Sequence, residues 1–128
     1  QNLMHMHGEL LKMRCVQCHH VSSINEDILK DKVCEACERT NCLRPDIVWF
    51  GEVPYHMERI AAALADCSVF VSIGTSGEVY PAAEFAAEAR DYGARTVEIN
   101  LDPSNGPFDE VRTGVATHAV PAFVAEWL

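Results

Sequence analysis

The sequence predicts an α/β protein: a parallel sheet with helices on both faces, extended by a small cysteine-rich ribbon. Residues 45–128 alternate short apolar, β-forming runs with amphipathic stretches, at the spacing of βα units. Ahead of them stand two C-x2-C pairs with 15 residues between. The chain has 128 residues and 48% of them are apolar, which supports a packed core and argues against disorder.

Three zones follow from composition. Residues 1–14 are apolar, with His5, His7 and Gly8; residues 15–44 are polar and hold five of the six cysteines. Within 45–128, residues 47–50 read as a strand ending at Gly51. Residues 56–66 carry Met57, Ile60, Ala61 and Leu64 on one helical stripe. Residues 68–73 are rich in β-formers and read as a strand buried on both faces, with Cys67 before it as a core thiol. Gly74-Thr75-Ser76-Gly77 is a turn. Pro81 suits the first turn of a helix over 81–92, which Gly93 closes. RTVEIN, 95–100, is the next strand, and a loop with Pro103 and Gly106 follows. Residues 108–113 read as a short helix, 116–120 as a last strand and 121–128 as a last helix. Helices alternating with strands in this way give a Rossmann-like sheet, in which ligands bind at the carboxyl ends of the strands. Three loops leave such ends: after Ile73, after Asn100 and near Ala116. No internal repeat or low-complexity segment is visible.

Cys15, Cys18, Cys34 and Cys37 form the pattern C-x2-C-x15-C-x2-C. Each pair makes a tight knuckle offering two thiolates, and two knuckles complete the tetrahedron of one zinc ion, as in a zinc ribbon. Cys42 is an alternative to Cys37, and His19 or His20 could also coordinate. Four thiolates leave no open position for water, so this zinc is structural.

The net charge is −9 and uneven: residues 1–45 carry six basic and six acidic side chains, residues 46–128 four and thirteen. An acidic domain repels phosphate backbones, so nucleic acid is not an expected partner. No apolar run approaches the roughly 20 residues that span a bilayer, and no export signal is visible. Paired C-x2-C motifs without such a signal place the thiols in a reducing cytoplasm. Gln1 at the start suggests a fragment or a processed chain.

Several short strings carry a more specific signal together. His7-Gly8-Glu9 precedes the first knuckle. Leu43-Arg44-Pro45 and Val48-Trp49-Phe50-Gly51-Glu52 follow the second. Gly74-Thr75-Ser76, Val79-Tyr80-Pro81-Ala82-Ala83 and Ile99-Asn100-Leu101 come after. Each has a plain reading alone: a surface histidine, ordinary core for Trp49 and Phe50, a common turn, an asparagine capping a loop. In this order around a four-cysteine module, the chain resembles the sirtuins, NAD-dependent protein-lysine deacylases, and most of all the CobB-type bacterial members. The likeness runs over the whole chain but only about the C-terminal half of a complete sirtuin domain.

The resemblance implies roles. His7 is the general base, and residues 1–14 are the segment that carries it. Cys15, Cys18, Cys34 and Cys37 hold zinc within a module over 15–44. Residues 45–128 are the Rossmann-like NAD-binding part. There Gly74, Thr75 and Ser76 form an NAD-binding loop, Asn100, Leu101 and Asp102 meet the adenosine ribose, and Ala116 meets the adenine end. Val48, Trp49, Phe50, Gly51 and Glu52 form one edge, and Gly77, Val79 and Tyr80 the other, for an acyl-lysine peptide lying as an added strand. The implied reaction consumes NAD+ and removes an acetyl or succinyl group from a protein lysine, giving nicotinamide and O-acyl-ADP-ribose. Imidazole suits a general base because it titrates nearest neutrality. Small residues in a Gly-Thr-Ser turn let backbone N–H groups and hydroxyls approach ligand oxygens.

A sirtuin also needs a Gly-Ala-Gly loop and a Gln-Asn-x-Asp stretch, which the sequence lacks; Gln1-Asn2 is followed by no aspartate in place. The expectation is therefore that this chain alone has no activity. The rivals are a non-catalytic zinc-ribbon interaction module and a zinc hydrolase; the second would need an open metal site.

Overall fold

The computed structural model describes residues 2–127. The chain divides into two compact units, residues 1–57 and 58–128.

The first unit is built on a three-stranded antiparallel sheet, β1 (Gly8–Cys15), β2 (Val21–Ser23) and β3 (Leu43–Ile47), in the order β2-β1-β3. β1 and β3 pair at both ends, Gly8 with Ile47 and Cys15 with Leu43, and the register slips between Glu9 and Met13. The extra residues there are a bulge, which Lys12 closes by donating to Glu9 Oε1 at 2.6 Å. Met13 and Cys15 point inward and are buried. Pro45 is tolerated because β3 is an edge strand.

The strand expected over 47–50 therefore lies earlier, at Leu43–Ile47, and residues after it turn. Pairing with β1 extends 43–47, while Gly51, at φ +85°, supports a reversal.

The second unit holds a parallel sheet, β4 (Val69–Ile73), β5 (Arg95–Asn100) and β6 (Glu110–Thr113), in the order β4-β5-β6. Its helices are α1 (Met57–Asp66), α2 (Phe85–Asp91) and α3 (Ala116–Ala125). Side chains alternate across a strand. Val97 and Ile99 of β5 pack with Phe123, Ala119 and Val120 of α3. Phe70 and Ser72 of β4 face the opposite way, sharing a cavity wall with Ala82, Ala83 and Ala86. Helices thus cover both faces, as expected.

Several expectations are corrected here. The fully buried strand is the central β5, where Thr96, Val97, Glu98 and Ile99 are each at most 1% exposed; β4 pairs on one side only among the described residues and is half-buried. Residues 108–113 hold a strand, β6, because Glu110 to Thr113 extend beside Val97 to Asn100. Residues 116–120 are not a strand but the first half of α3, and Pro121 lies inside that helix. Their β-branched residues suggested a strand, yet the apolar side chains of Ala119, Val120 and Phe123 share one stripe against β5. Leu128, at the end of the helix expected over 121–128, lies outside the described residues. Finally, the helix expected over 81–92 begins as one 3-10 turn, Ala82–Glu84, before α2. Cys67 is only half-buried, its thiol donating to Leu64 O at 3.3 Å. No helix is long and apolar enough to cross a membrane among the described residues.

Candidate active site and metal centre

The four cysteines of the two pairs come together: the sulfurs of Cys15, Cys18, Cys34 and Cys37 all lie within 4.8 Å of one another. Cys15 Sγ is 3.7 Å from Cys37 Sγ, and Cys18 Sγ is 3.7 Å from Cys34 Sγ. Metal–sulfur bonds of about 2.3 Å in a tetrahedron give edges of roughly 3.8 Å, so the set fits zinc. The two knuckles are built alike. His19 N–H donates to Cys15 O (3.0 Å) and Cys15 N–H to His20 O (2.9 Å); Glu38 N–H donates to Cys34 O (2.9 Å) and Cys34 N–H to Arg39 O (2.9 Å). His19 (φ 60°) and Glu38 (φ 57°) occupy the same left-handed position in the two loops.

The alternative ligands are the two histidines and Cys42. His19 and His20 are exposed, and His20 lies 3.9 Å from Glu35. Cys42 is buried and its sulfur is 3.6 Å from that of Cys15, but its thiol donates to Arg39 O at 3.2 Å. Burial pushes that thiol up to about 11. Its carbonyl accepts from Val16 N–H at 2.8 Å and so braces the first knuckle.

The β1–β3 ladder connects this centre to His7. The cysteines sit at one end, and at the other Val48 N–H donates to His7 O at 3.0 Å. Five extended steps, from Leu43 at the start of β3 to Val48 just past its end, cover roughly 16 Å, far beyond the reach of a metal ligand. Gly8 makes the close pairing possible. A Cβ there would stand 1.9 Å from Asp46 O, and its φ is +81°. His7 is exposed, as is His5, whose Nε2 lies 3.8 Å from Glu9.

Residues 48–52 form a braced turn beside His7. The Arg44 guanidinium bonds both oxygens of Glu52, at 2.5 and 3.0 Å, and donates to Ile47 O at 2.9 Å. It also stacks 3.7 Å over the Trp49 ring. Trp49 N–H donates to Glu52 Oε2 at 2.9 Å. Arg44 first, then this N–H, hold the Glu52 carboxyl down at about 2. Glu52, expected to meet substrate, spends its carboxylate on the turn. Phe50 is 98% exposed and Trp49 half-exposed, so neither is core.

In the second unit the ends of three parallel strands carry the predicted nucleotide residues. Gly74 N–H donates to Ile99 O and Gly114 N–H to Asn100 O, both at 2.9 Å, tying the flanking loops to β5. The third loop is thus Gly114-Val115, after β6; Ala116 is the exposed first residue of α3. Thr75 Oγ1 accepts from Gly77 N–H at 3.3 Å and Ser76 Oγ from Glu78 N–H at 3.4 Å. Each hydroxyl keeps its own proton to donate. Asn100 Nδ2 donates to Thr75 O at 2.7 Å, and Asn100 Oδ1 accepts from Leu101 N–H at 2.9 Å. Thr75, Ser76, Gly77 and Asp102 line one cavity of about 450 Å³, whereas Gly74, Asn100, Leu101 and Ala116 do not. Val79 and Tyr80 are exposed beyond it.

A model of the Sir2 family matches residues 1–81. The chain belongs to the Sir2 family. An NAD-dependent protein deacylase of Pasteurella multocida (strain Pm70) is 53% identical over 130 residues, covering 100% of this chain and 56% of that protein. A solved Sir2 homologue in complex with NAD superposes at a TM-score of 0.86 with 28% identity, over 98% of this chain and 51% of that one. A Sir2 protein bound to a myristoylated histone peptide gives 0.76 with 25% identity, over 98% and 57%. The chain spans about half the length of the curated relatives it matches.

Sequence reasoning missed three residues. Arg44 carries no local signal of its pairing with Glu52. Gly8 carries none of its close approach to Asp46. Glu98 was legible as one acidic residue inside an apolar strand.

Proposed function

We propose that the chain is the metal- and dinucleotide-binding part of an NAD-dependent protein-lysine deacylase acting on acetyl or succinyl groups, with nicotinamide and O-acyl-ADP-ribose as products. The backbone bond from Val48 N–H to His7 O carries the proposal, because it stands a free imidazole at the head of an exposed turn rich in apolar side chains. The naming of the relatives and the NAD and peptide complexes of the neighbours support it.

NAD+, when bound, would supply an electrophilic ribose carbon that bonds the acyl oxygen as its bond to nicotinamide breaks. His7 takes a proton from a ribose hydroxyl; its backbone is fixed by the ladder and its exposed ring stays free to turn. Thr75 and Ser76 donate to ribose or phosphate oxygens, and Gly74, Asn100, Leu101, Asp102 and Ala116 complete the nucleotide contacts. Residues 48–52 offer backbone groups to an acyl-lysine segment added as a strand, with Gly77, Val79 and Tyr80 as a second contact set. Zinc clasps the module over 15–44 and takes no part in the chemistry, since four thiolates fill its coordination. The reducing cytoplasm keeps those thiols free for metal.

Nicotinamide release from an acetyl-lysine peptide tests this on the complete gene product, on its His7→Tyr variant and on this chain alone. Turnover in the first and none in the other two is expected. A complete product that leaves NAD+ untouched while binding the peptide, or cleaving it without NAD+, overturns the proposal. Turnover by this chain alone overturns the expectation that half the domain is inactive.

A further inference from the structure

Glu98 is the one buried acidic side chain in the central strand, 1% exposed and absent from the ion pairs found among the described residues. A buried carboxylate persists only where N–H groups replace its water. Glu98 has three such contacts. Ser104 N–H donates to Oε1 at 2.9 Å and to Oε2 at 3.1 Å, and Asn100 Nδ2 donates to Oε1 at 3.3 Å. The same Asn100 amide donates to Thr75 O at 2.7 Å. The result is an unbroken chain, Ser104 to Glu98 to Asn100 to Thr75. It joins the loop after β5 to the turn after β4. Register places Glu98 opposite Ser72, on the side of the sheet that carries the cavity. Ser104, Thr75 and Asp102 all line that cavity.

We propose that Glu98 is a positioning residue that sets the spacing of the two strand-end loops and so the affinity for the dinucleotide. It touches no ligand itself. This inference rests on the NAD-dependent reading above and adds to it a residue that neither motif contains. A carboxylate is required because both of its oxygens face N–H donors. In Glu98→Gln, Oε1 keeps the Asn100 bond and one Ser104 bond, while the new amide N–H faces Ser104 N–H. In Glu98→Ala all three contacts go, and Asn100 is left to rotate away from Thr75.

The test compares wild type, Glu98→Gln and Glu98→Ala in the complete gene product. One readout is KM for NAD+ against KM for the acyl-peptide. The other is amide hydrogen exchange at Leu101 and Ser104 against Val97 and Ile99. Loss of roughly 1.4 kcal/mol of loop ordering is a factor of ten, so KM for NAD+ should rise about tenfold in Glu98→Ala, less in Glu98→Gln. KM for the peptide should hold within about twofold, and exchange should quicken at Leu101 and Ser104 while Val97 and Ile99 stay protected. Equal rises in both KM values, uniform exchange across β5, or unchanged NAD+ kinetics in Glu98→Ala overturns the inference. A wild-type product that does not consume NAD+ overturns the functional reading and this inference together, and the wild-type arm alone reveals that case.

Discussion

Replacing Gly8 by alanine puts a methyl carbon 1.9 Å from Asp46 O, where real contacts are essentially never under 3.0 Å. The backbone must retreat by about 1 Å. That retreat breaks the Gly8–Ile47 rung and the 3.0 Å bond between Val48 N–H and His7 O. Two backbone hydrogen bonds are worth about 2 kcal/mol together. The left-handed φ of +81° adds about 1–2 kcal/mol for any residue with a Cβ. Gly8→Ala should therefore destabilise the first unit by about 3–4 kcal/mol, lowering its thermal midpoint by more than about 10 °C. Gly51→Ala is the control, since Gly51 has a similar φ of +85° but open space where its Cβ would be. It should lose only about 1–2 kcal/mol. Urea denaturation of the two variants measures the difference. Equal losses would refute the steric argument, because the two sites share the strain and differ only in the clash. A displacement of His7 by about 1 Å should also cut turnover in the complete protein about 100-fold at temperatures where Gly8→Ala remains folded.

Stripping the metal with a chelator should release residues 15–42, seen as fast amide exchange there; a stripped chain that stays protected in this segment contradicts the structural role of the ion. Cys42→Ser should retain one metal per chain with an all-sulfur cobalt(II) spectrum, whereas Cys37→Ser should lose one sulfur ligand; the reverse pattern would make Cys42 the fourth ligand. The stability that Glu52 contributes should depend on pH in one direction. Its folded value of about 2 lies below the ordinary 4.5, so its contribution is complete above about 4.5 and disappears as pH falls towards 2. The gap in melting temperature between wild type and Glu52→Gln should close across that window, and a gap that persists at pH 2 would remove Arg44 as the cause.

The sequence made β5, α1 and the metal ligands legible because their signals are local. RTVEIN is β-forming from end to end, and the C-x2-C spacing fixes a knuckle without help from the rest of the chain. What escaped was decided by partners distant in sequence. Glu110 to Thr113 becomes a strand only because β5 offers a free edge. Ala116 to Val120 looks β-branched, yet its apolar stripe has β5 to cover. β1 was hidden by a bulge that sends Leu10 and Leu11, 72% and 67% exposed, away from any alternating pattern. Within the candidate site, the strings single out His7, Thr75, Ser76 and Asn100. Arg44 stands in one of those strings with nothing local to mark its role, and Glu98 stands in none; their contacts lie 8 and 6 residues away.

His7 offers the cleanest separation of chemistry from structure. Its fixed part is backbone: the carbonyl receives Val48 N–H, and the following glycine closes the ladder. Its ring is exposed. Exposed substitutions away from caps and clashes usually change stability by no more than about 0.5 kcal/mol. His7→Tyr keeps both backbone groups, so the ladder, the braced turn at 48–52 and the metal centre should all persist, with a melting temperature close to wild type and one zinc per chain. General-base catalysis contributes about 100- to 10,000-fold, and turnover should fall at least that far. A variant that loses turnover and also melts early would mean that the ring supports the fold. A variant that melts as wild type and still turns over would remove His7 from the reaction and leave the exposed turn at 48–52 as a binding surface alone.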